Sequence, residues 1–371
     1  MASKGSQASS YILQHLQSAV QLDQVGNFEL PKKHVICLFI LMLGGYVIAT
    51  LLDVQFFDWQ LEYHGVILYE DCLQYGKDPE QNLCGDYVLR ERYLSEWQFD
   101  WLYNDFRHGI VLSLLVLSRE VFGEPRVLSF ISSIVFLVLT FFVGKAVSGK
   151  KYVGLIAMMF VMMSSIFNKY DTGITYPTFW GSFYLASILA MFKVPKIAFV
   201  PYLLAMCFKN IAVLYFPVSL VFARFSSIDV KSKRIIYITH VLVLVAGLVF
   251  LVASPQVLEG VISQINIELD DFVWWLGMWA VEFNDDRAVL FSMFFVIGGL
   301  WILKRQNVAN SFAVLLVIVV ILLQPSFISG FTDFTNEDYR FLVLVAFVGV
   351  GIGLVVSKFD RLVYGIQRPS S

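Results

Sequence analysis

Three carboxylates follow closely on a long apolar run, and their spacing could support acid–base chemistry. The stretch reads IATLLDVQFFDWQLEYHG from Ile48, and it carries Asp53, Asp58 and Glu62 among aromatic residues. Residues three to four apart are neighbours on a helix, which places Asp58 and Glu62 near one side. A carboxylate in apolar surroundings has a raised affinity for protons, which suits a general base acting on a hydroxyl. These acids could instead simply end an apolar helix and keep the next one in contact with water.

Cations elsewhere in the chain could bind an anionic group such as a phosphate. Lys209 lies between two short apolar segments in FKNIAVLYFP, and Arg340 follows Tyr339 at the start of a late apolar run. Arginine offers a fork of donors matched to phosphate oxygens. Both cations could equally serve as anchors at a membrane surface. Three further polar residues complete the candidate substrate-binding set: Arg107, His108 and Asp171.

The cysteines and the spacing of metal ligands indicate no definite cofactor. Cys37 and Cys207 lie in apolar segments, so we expect them to pack as small hydrophobic residues. Cys72 and Cys84 share one polar loop and could form a disulfide in an oxidising compartment, or remain free thiols. Common catalytic spacings such as HExxH, Walker A and GxSxG are absent from the sequence. A divalent metal could bind among the acids, but no ligand cluster indicates one.

The composition defines the class of protein that must position these residues. Of 371 residues, 58% are hydrophobic and only 15% are charged, and the mean hydropathy is +0.70. Such a chain is typical of an all-α polytopic membrane protein whose partner is the lipid bilayer. The net charge of −2 argues against a nucleic-acid role, because such binding needs a basic surface to neutralise phosphates.

Apolar runs divide the chain into about ten transmembrane helices. A crossing needs roughly 20 mostly apolar residues, so GIVLSLLVL is too short and is predicted as a juxtamembrane helix. Basic loops prefer the cytoplasm, and lysines and arginines flank both ends of 195–223. That stretch must therefore go out and return, with Lys209 at the turn. The predicted spans are 34–52, 127–144, 152–167, 176–192, 196–208, 211–223, 235–253, 288–303, 309–325 and 341–357.

The alternation of loop charge predicts the sidedness of the chain. Lysines and arginines concentrate in alternate loops and at both termini, whereas nearly all of the 29 carboxylates fall in the other loops. We therefore expect both termini to be cytoplasmic and residues 53–125 to form an outer loop with juxtamembrane helices. The domain prediction is a segment 1–33 with an amphipathic helix, one transmembrane domain over 34–358, and a tail over 359–371.

The order of these features resembles the GT-C superfamily, integral membrane glycosyltransferases that use polyprenyl-phosphate-linked sugars. FDWQLEYHGVILYEDCLQYGKDP is similar to the family's acidic outer segment, and RHGIVLSLLVLSREVFGEPRVLSF to its second juxtamembrane helix without the usual two prolines. FKNIAVLYFP and NEDYRFLVLV resemble its lysine-bearing turn and the entry to a late span, although Tyr339 and Arg340 reverse the usual Arg-Tyr order. The resemblance covers most of the chain.

The resemblance implies a GT-C-like fold and a hexosyltransferase of the mannosyltransferase-like type. The donor would be a polyprenyl-phosphate sugar, and the acceptor hydroxyl would belong to a glycan, a lipid or a protein. Asp58, or else Asp53 or Glu62, would be the base, while Lys209 and Arg340 would hold the phosphate. A prokaryotic cell membrane is favoured over the endoplasmic reticulum because the chain is compact. The alternatives are a transporter or flippase of lipid-linked sugars and a noncatalytic membrane scaffold.

Overall fold

All the regular structure in the described residues is helical. The structure is a computed structural model that describes residues 29–52, 126–171, 177–208, 210–253, 286–331 and 341–359, and eight positions between 110 and 123. Two short 3-10 helices, Pro195–Ile197 and Asn210–Leu214, flank α6. The α-helices are α1 (Lys32–Leu52), α2 (Val127–Ser148), α3 (Lys151–Met162), α4 (Ser165–Tyr170), α5 (Pro177–Lys193), α6 (Phe199–Phe208), α7 (Tyr215–Phe225), α8 (Val230–Ala253), α9 (Arg287–Arg305), α10 (Ser311–Phe331) and α11 (Leu342–Ser357).

The apolar helices suggest a lipid bilayer as the surroundings of this chain. Within the described ranges, α1, α2 and α9 are long and apolar enough to cross a membrane by length and composition. The shorter apolar helical segments are Lys151–Met162, Pro195–Phe208, Ala212–Phe225, Ser311–Gln324 and Leu342–Ser357, and each overlaps a stretch that the sequence predicts as a span. The all-α prediction is confirmed, whereas the count of ten spans stays a prediction.

The stretch 195–223 folds as a hairpin. The hydroxyl of Tyr202 on α6 donates to the backbone oxygens of Ala212 and Val213, at 3.0 and 3.3 Å. Along one continuous helix, ten residues would separate these groups by about 15 Å. The chain therefore turns back between α6 and α7, as the charges on either side of this stretch predict.

Helix α11 forms the centre of the fold, and glycines let its neighbours approach closely. It packs against α2, α3, α9 and α10, and nearly all of its residues are buried. A methyl group at Gly349 would lie 2.9 Å from the carbonyl oxygen of Ala157, and one at Gly353 would lie 3.0 Å from that of Val153. Such small residues permit backbone contact where side chains gain little from leaving lipid.

Asn310 joins three turns at one end of the bundle, which we call the Asn310 end. Its Nδ2 donates to the oxygen of Val147 at 2.5 Å, and its Oδ1 accepts from the N–H of Ser227 at 2.6 Å. The ammonium of Lys150 also donates to the oxygen of Ser357 at this end, at 3.5 Å. Loop charge predicts the cytoplasmic side for these three loops and for the chain after α11, so their placement together agrees with that grouping.

The described positions around GIVLSLLVL are helical. Ile110 and Leu114 pack against the core, while Val121 and Phe122 are exposed. Ser118 is fully buried, and its Oγ accepts from the N–H of Leu128 at 3.1 Å in the first turn of α2. A short helix beside the bundle therefore helps to cap the start of a long one.

The two described cysteines differ in their surroundings. Cys207 on α6 is half-buried, as expected for a small packed residue. Cys37 on α1 is exposed, so the expectation that it packs inside the protein is wrong. Most of α1 is exposed, because this helix contacts the bundle along one narrow face. Cys72 and Cys84 lie outside the described residues.

Candidate functional site

Asp171 is a buried carboxylate that connects three segments of the chain. It directly follows α4, and its side chain is 5% exposed. The hydroxyl of Tyr46 on α1 donates to its Oδ2 at 2.8 Å, and the hydroxyl of Ser133 on α2 donates to its backbone oxygen. The aromatic ring of Tyr46 lies against Phe130 and Phe167, with centroids 5.9 and 5.7 Å away. These two aromatic contacts hold the ring of Tyr46, and with it the hydroxyl, in place.

Buried polar atoms without a hydrogen-bond partner lie at the same end, which we call the Asp171 end. The Oγ of Ser129 is one helical turn before Ser133 and makes no hydrogen bond. Thr178 Oγ1 and Trp180 Nε1, in the first turn of α5, likewise have none. Leaving such a group unpaired in the interior costs about 1–3 kcal/mol. A polar ligand or water at this end would supply the missing partners.

Asp286 is a second buried carboxylate at the Asp171 end. It is 4% exposed and caps α9, with its Oδ1 accepting from the N–H of Val289 at 3.3 Å. Its Oδ2 accepts from the hydroxyl of Ser164 at 2.6 Å and from the N–H of Ile166 at 3.4 Å. This residue is not among the candidates predicted from the sequence. An aspartate placed directly before an apolar run is the usual signal of such a helix cap.

Helix α4 places the two carboxylates at a fixed separation. Ser164, which binds Asp286, precedes this helix, and Asp171 follows it. Seven residues of helix span roughly 10 Å, so Ser164, which binds Asp286, and Asp171 are about that far apart along α4. The Asp286 carboxylate accepts three hydrogen bonds, from Ser164, Ile166 and Val289, and these bonds indicate a structural role. Asp171 is the one whose surroundings retain unpaired polar atoms.

The Asp171 end is also where three helices lead to other candidate residues. Leu52 ends α1 beyond Tyr46, and Phe341 precedes α11, whose opposite terminus lies beside Lys150. Phe208 ends α6 and stacks on Phe179 near the start of α5, with centroids 5.7 Å apart. Three candidates predicted from the sequence adjoin these helix ends: Asp53 follows Leu52, Lys209 follows Phe208, and Arg340 precedes Phe341. The candidates that lie outside the described residues are Asp53, Asp58, Glu62, Arg107, His108, Lys209, Tyr339 and Arg340.

A metal centre has no support in the described part of the chain, where no group of three or more histidine, cysteine or acidic side chains comes together. Asp171 accepts a hydrogen bond from a tyrosine hydroxyl, and Asp286 accepts hydrogen bonds from a serine hydroxyl and a backbone N–H group. What this end can do chemically is therefore to bind polar groups, such as the hydroxyls of a sugar, through hydrogen bonds.

The fold and these contacts define a class of protein: a chain whose described regular structure is all helical, with apolar membrane-type helices and a polar cluster at one end. No family model, curated protein or solved structure matches the sequence significantly.

Proposed function

We propose that this protein is a membrane glycosyltransferase of GT-C type. It would move a sugar from a polyprenyl-phosphate donor to an acceptor hydroxyl at the outer face of the membrane. One observation carries the proposal: the helix ends that lead to Asp53, Lys209 and Arg340 lie at the same end of the bundle as buried Asp171. A base, two cations and a sugar-binding carboxylate would thereby have access to one region.

The chemistry would be a single displacement with inversion at the sugar carbon. Asp58 or Asp53, with Glu62 as a third candidate, would take the proton of the acceptor hydroxyl as it attacks. Lys209 and Arg340 would stabilise the negative charge on the departing polyprenyl phosphate. Asp171 would accept hydrogen bonds from the sugar or the acceptor, with Arg107, His108 and Tyr339 as further contacts. The acceptor would be a glycan, a lipid or a protein.

The buried polar atoms of the Asp171 end support this function over a scaffold. Each unpaired buried polar group lowers stability, and Tyr237, His240 and Gln324 carry such atoms elsewhere in the described residues; those of the Asp171 end differ in lying together at the end that holds a buried carboxylate. A site for a sugar needs donors and acceptors that are satisfied only when the substrate binds. Ser129, Thr178 and Trp180 fit this role, since the hydroxyls and the indole N–H that they offer can donate to sugar oxygens.

Transfer assays with neutral replacements test the proposal. Membranes that contain the protein would be incubated with radiolabelled polyprenyl-phosphate sugars, and transfer would be measured for Asp53→Asn, Asp58→Asn and the wild type. Loss of about 10²-fold or more in one variant is expected for a general base. Asp229→Asn serves as the control, since Asp229 is an exposed carboxylate beside Ser227, at the opposite end. Full activity of both variants would exclude them as the base, and no transfer by the wild type with any donor would contradict the function.

A further inference from the structure

An apolar groove lies on the outside of the bundle, away from the Asp171 end. It runs between α1, α3 and α11 and has a volume of about 390 Å³, within the range of sites that bind small molecules. Its walls run from near the first residue of α1 to the middle of that helix and along most of α3, and they consist almost wholly of apolar side chains. The lining residues are Leu30, Leu38, Met42, Tyr152, Leu155, Ile156, Met159 and Val356.

The mouth of the groove is at the Asn310 end and is surrounded by cations. Lys150 contacts the groove directly, because its ammonium lies 3.4 Å from the hydroxyl of the lining residue Tyr152. The same ammonium is 3.5 Å from the backbone oxygen of Ser357, which follows the lining residue Val356. Other lysines adjoin the lining residues along the chain, and Glu29 is the one described acid beside them. These lysines are Lys32, Lys33, Lys151 and Lys358.

The helix directions strengthen this positive field. Both α1 and α3 begin at the mouth, with Lys32 and Lys151 as their first residues. The free N–H groups of a helix start carry a partial positive charge, which favours anions. The end of α11 contributes the opposite partial charge, but the ammonium of Lys150 contacts its last carbonyl oxygen. An apolar channel with a positive mouth therefore fits a molecule with a hydrocarbon chain and an anionic head.

We propose that this groove binds an anionic phospholipid. One acyl chain lies along α3 between α1 and α11, and the phosphate lies at the mouth beside Lys150 and Lys151. The site is separate from the proposed transfer site, because it opens at the opposite end of the bundle. Helices α3 and α11 pack closely, whereas α1 contacts α3 along a narrow face, so a lipid in the groove stabilises the position of α1 against the core.

Native mass spectrometry of the full chain in detergent measures this binding. The protein would be titrated with phosphatidylglycerol and, separately, with phosphatidylcholine of the same acyl chains. The wild type is expected to retain one phosphatidylglycerol in preference to phosphatidylcholine. Replacing Lys150 and Lys151 by Gln should weaken phosphatidylglycerol binding by about fivefold per lysine, the effect of one cation at an anionic lipid surface. Lys231→Gln is the matched control, since Lys231 is exposed at the same end but on α8.

A second substitution tests the acyl-chain part of the site. Ile156→Trp fills the groove and should reduce the binding of both lipids, whereas Ile238→Trp, on an outward face of α8, should change neither. If Ile156→Trp does not fold, Met159→Trp replaces it, because Met159 lines the groove and is 48% exposed.

Several outcomes would overturn the proposal. Equal binding of the two lipids by the wild type would remove the role of the lysines. A phosphatidylglycerol preference that survives Ile156→Trp and Met159→Trp would show binding to surface charge outside the groove. Failure of lipid to bind the full chain, or a change in its oligomeric state on Ile156→Trp, would show that protein covers the groove instead.

Discussion

The hydroxyl of Tyr46 donates a 2.8 Å hydrogen bond to the carboxylate of Asp171, across 125 residues of sequence. This bond ties α1, which otherwise exposes most of its surface, to the polar end of the bundle. We predict that Tyr46→Phe lowers the free energy of unfolding by about 1–3 kcal/mol, because it leaves a buried acceptor without its donor. Thermal unfolding of the purified protein in detergent measures the loss.

Tyr237→Phe is the matched control for this prediction. The hydroxyl of Tyr237 is buried without a hydrogen-bond partner, so its removal should leave stability unchanged or slightly raised. Equal changes in the two variants would show that the Tyr46 hydrogen bond contributes nothing beyond what an unpaired buried hydroxyl does.

Gly154 on α3 lies in close contact with α2. A methyl group there would overlap the backbone oxygen of Phe141 and lie 2.8 Å from an atom of its ring. We predict that Gly154→Ala destabilises the protein by about 1–3 kcal/mol through overpacking. Gly247→Ala, on α8 with nothing within 4 Å of the added carbon, should be neutral or stabilising because alanine favours a helix. Thermal unfolding of both variants compares them, and an equal effect would contradict a backbone contact at Gly154.

The Asn310 bridge should contribute strongly to stability. Asn310→Ala removes bonds to Val147 and Ser227, and each buried group left unpaired costs about 1–3 kcal/mol. Asn307 provides a control with the same backbone strain, since its φ is 55° and that of Asn310 is 64°. Asn307 is exposed, so Asn307→Ala carries the cost of the left-handed backbone alone. A similar loss of stability in both variants would assign the effect to backbone conformation and not to the bridge.

The sequence predicts the helices well because the bilayer imposes a simple rule on them. A run of apolar residues must form a helix to satisfy its own backbone groups in lipid, and loop charge orders the runs in space. The hairpin at 195–223 follows from these two rules alone, and the bonds of Tyr202 confirm it. Helix bounds differ by a few residues, as in α8, which begins at Val230 and so includes basic residues that were assigned to a loop.

The polar site was harder to predict because its contacts join distant parts of the chain. Asp171 was recognised as a candidate, but its partner Tyr46 lies within an apolar run, where a tyrosine gives no signal of such a bond. Asp286 was missed because it belongs to an acidic, tryptophan-rich stretch in which no single carboxylate stands out. Which polar groups meet depends on how helices rotate and pack, and hydropathy carries no information about that rotation.

The sidedness of the bundle can be tested at exposed positions of its two ends. We predict that cysteines placed at Ser227 and Ala309, at the Asn310 end, face the cytoplasm, and that a cysteine at Asn168 faces outward. In a background with the four native cysteines replaced by serine, an impermeant maleimide should label intact cells only at Asn168→Cys. Permeabilised cells should be labelled at all three positions, which controls for accessibility. Labelling of Ser227→Cys and Ala309→Cys in intact cells would invert the topology. That result would place the buried Asp171 on the cytoplasmic side, and it would contradict a transfer site of the proposed type at the outer face.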